Sequence, residues 1–383
     1  MSIWGNSIYL STDKTGSTWE WYKRILNDGK ASALCPVGSQ LVDRWDKDAN
    51  TFYDVPWDIV HYDSNGNAYI KWHYANPDTI SFDEPEALYY FDGTEQAGVE
   101  YYILINISYG TGWIANTGIG FILNSAPEEG DQFVLNTNKD NKNDPTNMTW
   151  SVYSAGKTTV KQTGTTINST AGIKLGETST TGIGYTNGRV NSPQRVVYGY
   201  NRWSQSCIRQ YYNSHNEAGA WWSIKNPWDR PPAIAFTLQG FMAGLSDELL
   251  SIVSLSDVTT ALNTVEGNSS TTETTQDYFF LPSLEQMYIN PQLSGTEGES
   301  WDYYKTLAQE TGLPGKFQTG QTYTCLITNN ITDKNTPVNV RLRSASRGYA
   351  YNTWYIYSSG YVGSYYAYYA YRGCPACKIL KSN

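Results

Sequence analysis

Between residues 349 and 371 ten of 23 positions are tyrosine, and all but three of the others are Gly, Ala, Ser, Asn or Thr. Ten phenolic hydroxyls in so short a stretch cannot all find buried partners. Most of these rings therefore belong at a surface, their faces or hydroxyls within reach of solvent or a ligand. The mixture is that of a paratope, in which Tyr supplies rigid amphipathic contact area at low entropic cost and Ser, Gly and Asn supply adaptable hydrogen bonds. A Tyr-rich edge sheet or core face is the other arrangement this composition allows. Soluble monomers rarely expose large aromatic patches without a use for them, which favours binding.

The rest of the chain sets the scaffold. With 383 residues there is length for two or three domains, and at 40% hydrophobic, 15% aromatic and 16% charged the chain is too apolar to stay disordered. Gly (33) and Tyr (32), with many Thr, Ser and Asn, favour short strands and turns, so a β-rich α+β fold is expected. From Lys334 to the end there is no Asp or Glu. There Lys334, Arg341, Arg343, Arg347, Arg372, Lys378 and Lys381 give +7; since the whole chain carries −9, the part before them carries −16. Such a body repels nucleic acid and anionic membrane. The first residues lack a basic segment followed by an apolar one, and no 18-residue apolar run exists, so synthesis in a cytoplasm without a signal peptide or membrane insertion is expected. Five cysteines, an odd number, do not read as a disulfide framework and point to reduced thiols.

Along the chain, Ser17 and Glu20 form a capping-box pattern ahead of Trp19, Tyr22, Ile25 and Leu26 at helical spacing, which predicts a short amphipathic helix ended by Asn27-Asp28-Gly29. Residues 57–62 and 68–73 flank Asn65-Gly66 and predict a hairpin. From about 86 to 190 short apolar runs (101–107, 118–123, 132–135) alternate with turn residues and read as an all-β unit, with edge strands or exposed loops over 157–187. Helices are predicted over 201–213, with Trp203, Cys207, Ile208 and Tyr211 inward, from Ser246, with Leu249, Leu250 and Ile252 inward, and from Ser283, where Gln286 completes a capping box. Residues 263–276, rich in Ser and Thr, read as a loop, and strands return from Pro337.

Arg341-Leu342-Arg343-Ser344-Ala345-Ser346-Arg347, then Thr353-Trp354 and Gly360-Tyr361-Val362, and finally Cys374-Pro375-Ala376-Cys377-Lys378-Ile379 resemble the C-terminal variable region of proteins diversified by diversity-generating retroelements. Residues 198–214, 240–245 and 279–285 are similar to gut-bacterial and phage-encoded proteins of this group, so the resemblance covers about 195–380; it is weaker over 57–76 and 82–90. In that family a reverse transcriptase copies a template repeat with errors at adenines, and the errors are written into the end of the gene. Adenine substitution of Asn codons reaches Tyr, Ser, Gly, Asp, Ala and Thr, close to the palette seen here.

The resemblance implies a C-type-lectin-type domain over 36–90 and 191–383 with its variable region at 341–379. It further implies an inserted, sandwich-like all-β domain over 91–190 and an N-terminal helix or attachment segment over 1–35. The frame would be Leu342, Arg343, Ser344, Trp354, Ile356, Gly360, Val362, Ala367 and Ala370. The diversified, ligand-facing residues would be Gly348, Tyr349, Tyr351, Asn352, Tyr355, Tyr357, Tyr361, Ser364, Tyr365, Tyr366, Tyr368, Tyr369 and Tyr371. The implied function is non-enzymatic binding of a host-cell surface protein or glycan by a phage tail receptor binder, homo-oligomeric on the virion in one arrangement, or by a bacterial surface adhesin.

The alternative is an enzyme on the same fold, of formylglycine-generating type. Those enzymes need a reactive cysteine pair in the Arg-rich segment, and residues 341–372 contain no Cys. Cys374-Pro375-Ala376-Cys377 lacks the second ligand pair of a zinc site and the βαβ setting of a redox motif. Asp46-Lys47-Asp48 opens like a calcium loop, but Thr51 stands where Gly is needed and Trp57 where Glu is needed. No GxSxG, HExxH or phosphate-loop motif is present, so no cofactor or metal is expected.

Overall fold

The computed structural model describes residues 18–82, 87–91, 93–105, 117–136, 149–154, 159–169, 201–218, 238–262, 272–347, 349, 352–367 and 369–382. Helix α1 (Thr18–Asn27) forms where the helical spacing predicts it, with Trp19, Tyr22, Ile25 and Leu26 buried, and Gly29 turns the chain at φ +72°. After α2 (Ala31–Leu34) come β1 (Gln40–Asp48), β2 (Thr51–Tyr62) and β3 (Ala68–Trp72). The predicted hairpin is β2–β3, with Trp57 opposite Trp72. Its loop is closed by the Asp63 carboxylate, which accepts the amides of Asn65 (3.0 Å) and Asn67 (2.9 Å), and by Gly66 at φ +80°, a conformation glycine adopts without strain.

Strand β4 (Ile80–Ser81) precedes the predicted all-β unit: β5 (Ala87–Tyr90), β6 (Glu100–Ile105), β7 (Thr117–Ile122), β8 (Gln132–Asn136), β9 (Thr149–Tyr153), β10 (Val160–Thr165) and β11 (Ile167–Ser169). These make a sheet ordered β10-β9-β8-β5 and a sheet ordered β11-β7-β6. Phe121 of one meets Phe133 of the other at 4.2 Å between ring centroids, with Trp150 stacked on Phe133. Both β10 and β11 are edge strands, as the Thr- and Gly-rich composition suggested.

The helix expected over 201–213 is shorter: α3 (Cys207–Tyr212) is capped by Ser206, and Trp203 lies before it in a separate turn, though Trp203, Cys207, Ile208 and Tyr211 are all buried as predicted. Helix α4 (Asp247–Ile252) is capped by Ser246; Leu249 and Ile252 are buried and Leu250 is half-buried. The chain continues through β12 (Ser256–Ala261), β13 (Thr272–Asp277), β14 (Phe279–Phe280), α5 (Asp302–Glu310), β15 (Thr328–Asn330), β16 (Asp333–Val338), β17 (Val340–Ala345), β18 (Asn352–Ile356), β19 (Val362–Tyr366), β20 (Ala370–Tyr371) and β21 (Ala376–Ile379).

Two expectations are corrected. Residues 272–276 are strand rather than loop: the β-branched Thr272, Thr274 and Thr275 suit a pleated edge, and β13 pairs with β12 along its length. Residues 263–271 lie outside the described ones. No helix starts at Ser283, although the capping box forms, with the Gln286 amide donating to Ser283 Oγ and the Ser283 amide donating to Gln286 Oε1, both at 3.1 Å. It closes one turn that Tyr288 ends at φ +55°.

The main sheet runs β1-β2-β3-β21-β14, so the end of the chain is threaded between two earlier strands. Its core is aromatic: Trp57 meets Trp72 edge-on at 6.0 Å, and Trp45 and Phe241 pack on Trp72. Trp19 of α1 packs edge-on against Trp57, so residues from 18 onward share this core rather than forming a segment apart. His61 on β2 lies 3.0 Å from both Glu299 and Asp302, which pins the start of α5 to the sheet. Among the described residues no helix is long and apolar enough to cross a membrane.

Candidate ligand-binding face

The tyrosine-rich stretch leaves the core through β17, whose six residues are all buried, and returns to it through β21. Between them β17, β18 and β19 form an antiparallel sheet, with Arg341 opposite Tyr355 and Tyr355 opposite Gly363. Alternation then places Arg341, Thr353, Tyr355, Tyr357, Tyr361 and Tyr365 on one face and Asn352, Trp354, Ile356, Val362 and Ser364 on the other. Gly363 makes the first face possible, because a Cβ there would stand 2.8 Å from the Tyr361 ring and 3.0 Å from the Tyr357 ring.

The rings form one connected group. Tyr355 at its centre contacts Tyr357 at 4.1 Å and Tyr365 at 6.2 Å and stacks on Tyr371 at 5.2 Å and 10°. Tyr361 packs against Tyr357, and Tyr366 and Tyr369 against Tyr365. The β18–β19 turn is held by Gly360 at φ +84°, packed so that a Cβ would lie 2.2 Å from the Tyr323 carbonyl oxygen. Gly360→Ala should therefore cost more than about 2 kcal/mol, since it adds a left-handed strain to a backbone clash; the urea midpoint measures it.

Beneath the rings lies Arg341, its side chain fully buried. Its guanidinium donates to Thr353 Oγ1 (2.5 Å) and to the main-chain carbonyls of Tyr365 (3.3 Å), Tyr366 (3.0 Å) and Tyr369 (3.0 Å), and it lies under the Tyr371 ring at 4.6 Å. Burial lowers its pKa to about 9, which leaves it cationic at neutral pH. Asn201 does the same for the β17–β18 connection, donating from Nδ2 to the carbonyls of Ser346 (3.2 Å), Tyr349 (3.1 Å) and Asn352 (2.8 Å). Arg343, also buried, spreads its donors over the carbonyls of Thr259, Leu281 and Glu297 and the side chains of Thr260 and Gln286. The segment is thus gripped through main-chain oxygens, which every residue possesses.

Of the expected frame residues, Leu342, Arg343, Ser344, Ile356, Gly360, Val362 and Ala367 are buried, and Trp354 is half-buried. Ala370 is exposed and does not serve as frame. Of the expected ligand-facing residues, Tyr349 (46%), Tyr361 (38%) and Tyr369 (41%) are well exposed, while Asn352, Tyr357, Ser364, Tyr365, Tyr366 and Tyr371 are half-buried. Asn352 and Ser364 project from the face opposite Tyr355, and Gly348, Tyr351 and Tyr368 lie outside the described residues. Tyr355 is the correction: it is wholly buried, sandwiched by its neighbours over Arg341, and its hydroxyl has no hydrogen-bond partner among the described residues. Removing an unsatisfied buried hydroxyl stabilises, so Tyr355→Phe should raise stability by about 1 kcal/mol and Tm with it, as calorimetry would read.

The remaining candidates for chemistry are weaker. Cys374 and Cys377 are buried, and burial pushes both thiols above their ordinary pKa, away from the thiolate that redox or metal chemistry needs. Among the described residues no three His, Cys, Asp or Glu side chains are grouped to hold a metal ion. A cavity of about 80 Å3, not foreseen from the sequence, is lined by Asp58, Lys71, His73, Tyr303, Tyr304 and Cys325; Asp58 accepts from Gln40 (2.8 Å) and from His73 Nδ1 (2.9 Å).

A family described as a domain of unknown function, DUF6273, matches residues 179–382, just over half of the chain, and the chain belongs to it. The match begins after the last described strand of the sandwich and contains the whole tyrosine face. No curated protein and no solved structure matches the chain.

Proposed function

We propose that the chain is a non-enzymatic binding protein whose tyrosine face takes a host-cell surface protein or glycan. The face sits on a C-type-lectin-type domain and is diversified in the manner of diversity-generating retroelement proteins. The observation that carries this reading is the grip on main-chain carbonyls by Arg341 and Asn201: it fixes the backbone of the segment while leaving most of its outward side chains free to be exchanged. Affinity then comes from a few aromatic anchors and fold stability from the frame. Display on a phage tail or a bacterial surface suits such a protein, and homo-oligomers suit a virion.

The buried placement of Arg341, Arg343 and Arg347 supports this over nucleic-acid binding, because their charge is not laid along an open groove. The buried thiols, and the absence of cysteine from residues 341–372, favour it over an enzyme of formylglycine-generating type. A display library randomised singly at every position from 340 to 371 and sorted for resistance to proteolysis tests the reading. Most substitutions at Tyr349, Tyr361, Tyr365 and Tyr369 should survive, and few at Arg341, Leu342, Tyr355 or Val362. Equal intolerance along the stretch would mean that the rings are core and the reading is wrong.

A further inference from the structure

We infer that the tyrosine face takes an acidic protein surface, one presenting Asp or Glu side chains, and that Arg341 is the buried counter-charge for those carboxylates. This deepens, and rests on, the reading of the face as a binding surface. The starting point is how the molecule treats its other buried guanidiniums. Arg209 is paired with Asp277 at 2.6 Å, both fully buried, and Arg202 with Glu273 at 2.5 Å. Arg343 feels the charge of Glu297 and Asp277. Arg341, like Arg343, hydrogen-bonds only to neutral groups, here a hydroxyl and three carbonyls, but alone of these four it has no carboxylate acting on it among the described residues. A buried charge without a counter-ion is costly, and its field is little screened by the surrounding protein.

That field emerges through the face. The guanidinium carbon lies 4.6 Å from the centre of the Tyr371 ring, and Tyr371 contacts the exposed Tyr369 at 6.3 Å. A carboxylate accepting a hydrogen bond from the Tyr371 phenol would sit at about one Debye length, roughly 8–10 Å, from the charge. The sequence around the face agrees: no acidic residue occurs from Lys334 onward, while the preceding chain carries −16. The segment that carries the face therefore adds no carboxylate of its own to repel one from a partner. A long polyanion such as a nucleic acid or an acidic polysaccharide meets net repulsion from a body that carries −16. A folded partner offers a few carboxylates within a mixed surface, which the Tyr, Ser, Gly and Asn palette suits.

The test is a display library of the full chain, randomised at Tyr357, Tyr361, Tyr365, Tyr366 and Tyr369 with Arg341 kept, panned against matched sets of purified acidic and basic proteins and against hyaluronate. Binders should be recovered at least about tenfold more often on the acidic proteins, and their affinity should fall by about tenfold or more from low to high salt. Because Arg341 variants can fail to fold, the charge is tested at exposed Ala370 beside Tyr371: Ala370→Glu should weaken binders to acidic proteins about tenfold and Ala370→Lys should not. Equal recovery on acidic and basic proteins, or affinities indifferent to salt and to Ala370→Glu, would overturn the inference and leave the binding face standing. Preferential recovery on hyaluronate would overturn the choice of a protein partner. No binders to any target would overturn the binding face, and the inference with it.

Discussion

Arg341→Met should destabilise the protein by about 3–5 kcal/mol, because it strands several acceptors that a single guanidinium now satisfies and each unmet buried acceptor costs about 1–3 kcal/mol. The groups that lose their donor are the hydroxyl of Thr353 and the carbonyls of Tyr365 and Tyr369, while the Tyr366 carbonyl keeps only the Tyr369 amide across the 366–369 turn. Methionine fills much of the volume, so the loss reports polar contacts rather than a cavity. Arg341→Lys should recover only a minority of it, since an ammonium lacks the planar fork that reaches three carbonyls at once. Chemical unfolding monitored by circular dichroism gives the numbers. A loss below about 1 kcal/mol for Arg341→Met would show that the segment is held by its rings and not by its backbone.

The opposite behaviour is expected for the outward rings. Replacing Tyr361, Tyr365 and Tyr369 together by alanine should lower affinity for a target recovered by panning the unmutated chain at least about 100-fold, since a few aromatic anchors dominate such surfaces. The exposed Tyr361 and Tyr369 should each contribute less than about 0.5 kcal/mol to the unfolding midpoint, as surface positions do. Tyr365, half-buried between Tyr355 and Tyr369, should contribute more. Surface plasmon resonance and a thermal melt on the same preparations separate the two effects. A large loss of stability with affinity unchanged in the folded fraction would assign the rings to the core.

Much of the scaffold was legible because its signals are local. The 3.6-residue recurrence of Trp19, Tyr22, Ile25 and Leu26, the Asn65-Gly66 turn and the cap at Ser246 each act within a few residues of themselves. Helix α5 carried the same kind of signal in Trp301, Tyr304, Leu307 and Ala308, all buried, and was missed. Strand β13 was not legible because Ser/Thr-rich sequence takes its structure from its partner, here β12.

Within the site, composition located the surface but not its centre. Tyr355 and Tyr357 share a face and differ only in what lies over them, and what covers Tyr355 comes from Arg341 on β17 and Tyr371 on β20. The grip by Arg341 and Asn201 was equally out of reach, because its partners are main-chain carbonyls, which leave no mark in a sequence. Arg343, expected in the frame, does point inward, and so do Arg341 and Arg347, which carried no such expectation.

The most direct test of the account is to sequence the gene's end from many natural copies together with the DNA flanking it, aligned on the codons for residues 341–379. The account predicts a nearby near-copy beside a reverse-transcriptase frame, differing almost only where that copy has adenine. Variation should fall on codons for outward residues such as Tyr349, Tyr361, Tyr365 and Tyr369, and spare those for Arg341, Leu342, Ser344 and Val362. Flanking DNA without such a copy, and tyrosine codons as constant as those of the frame, would contradict it.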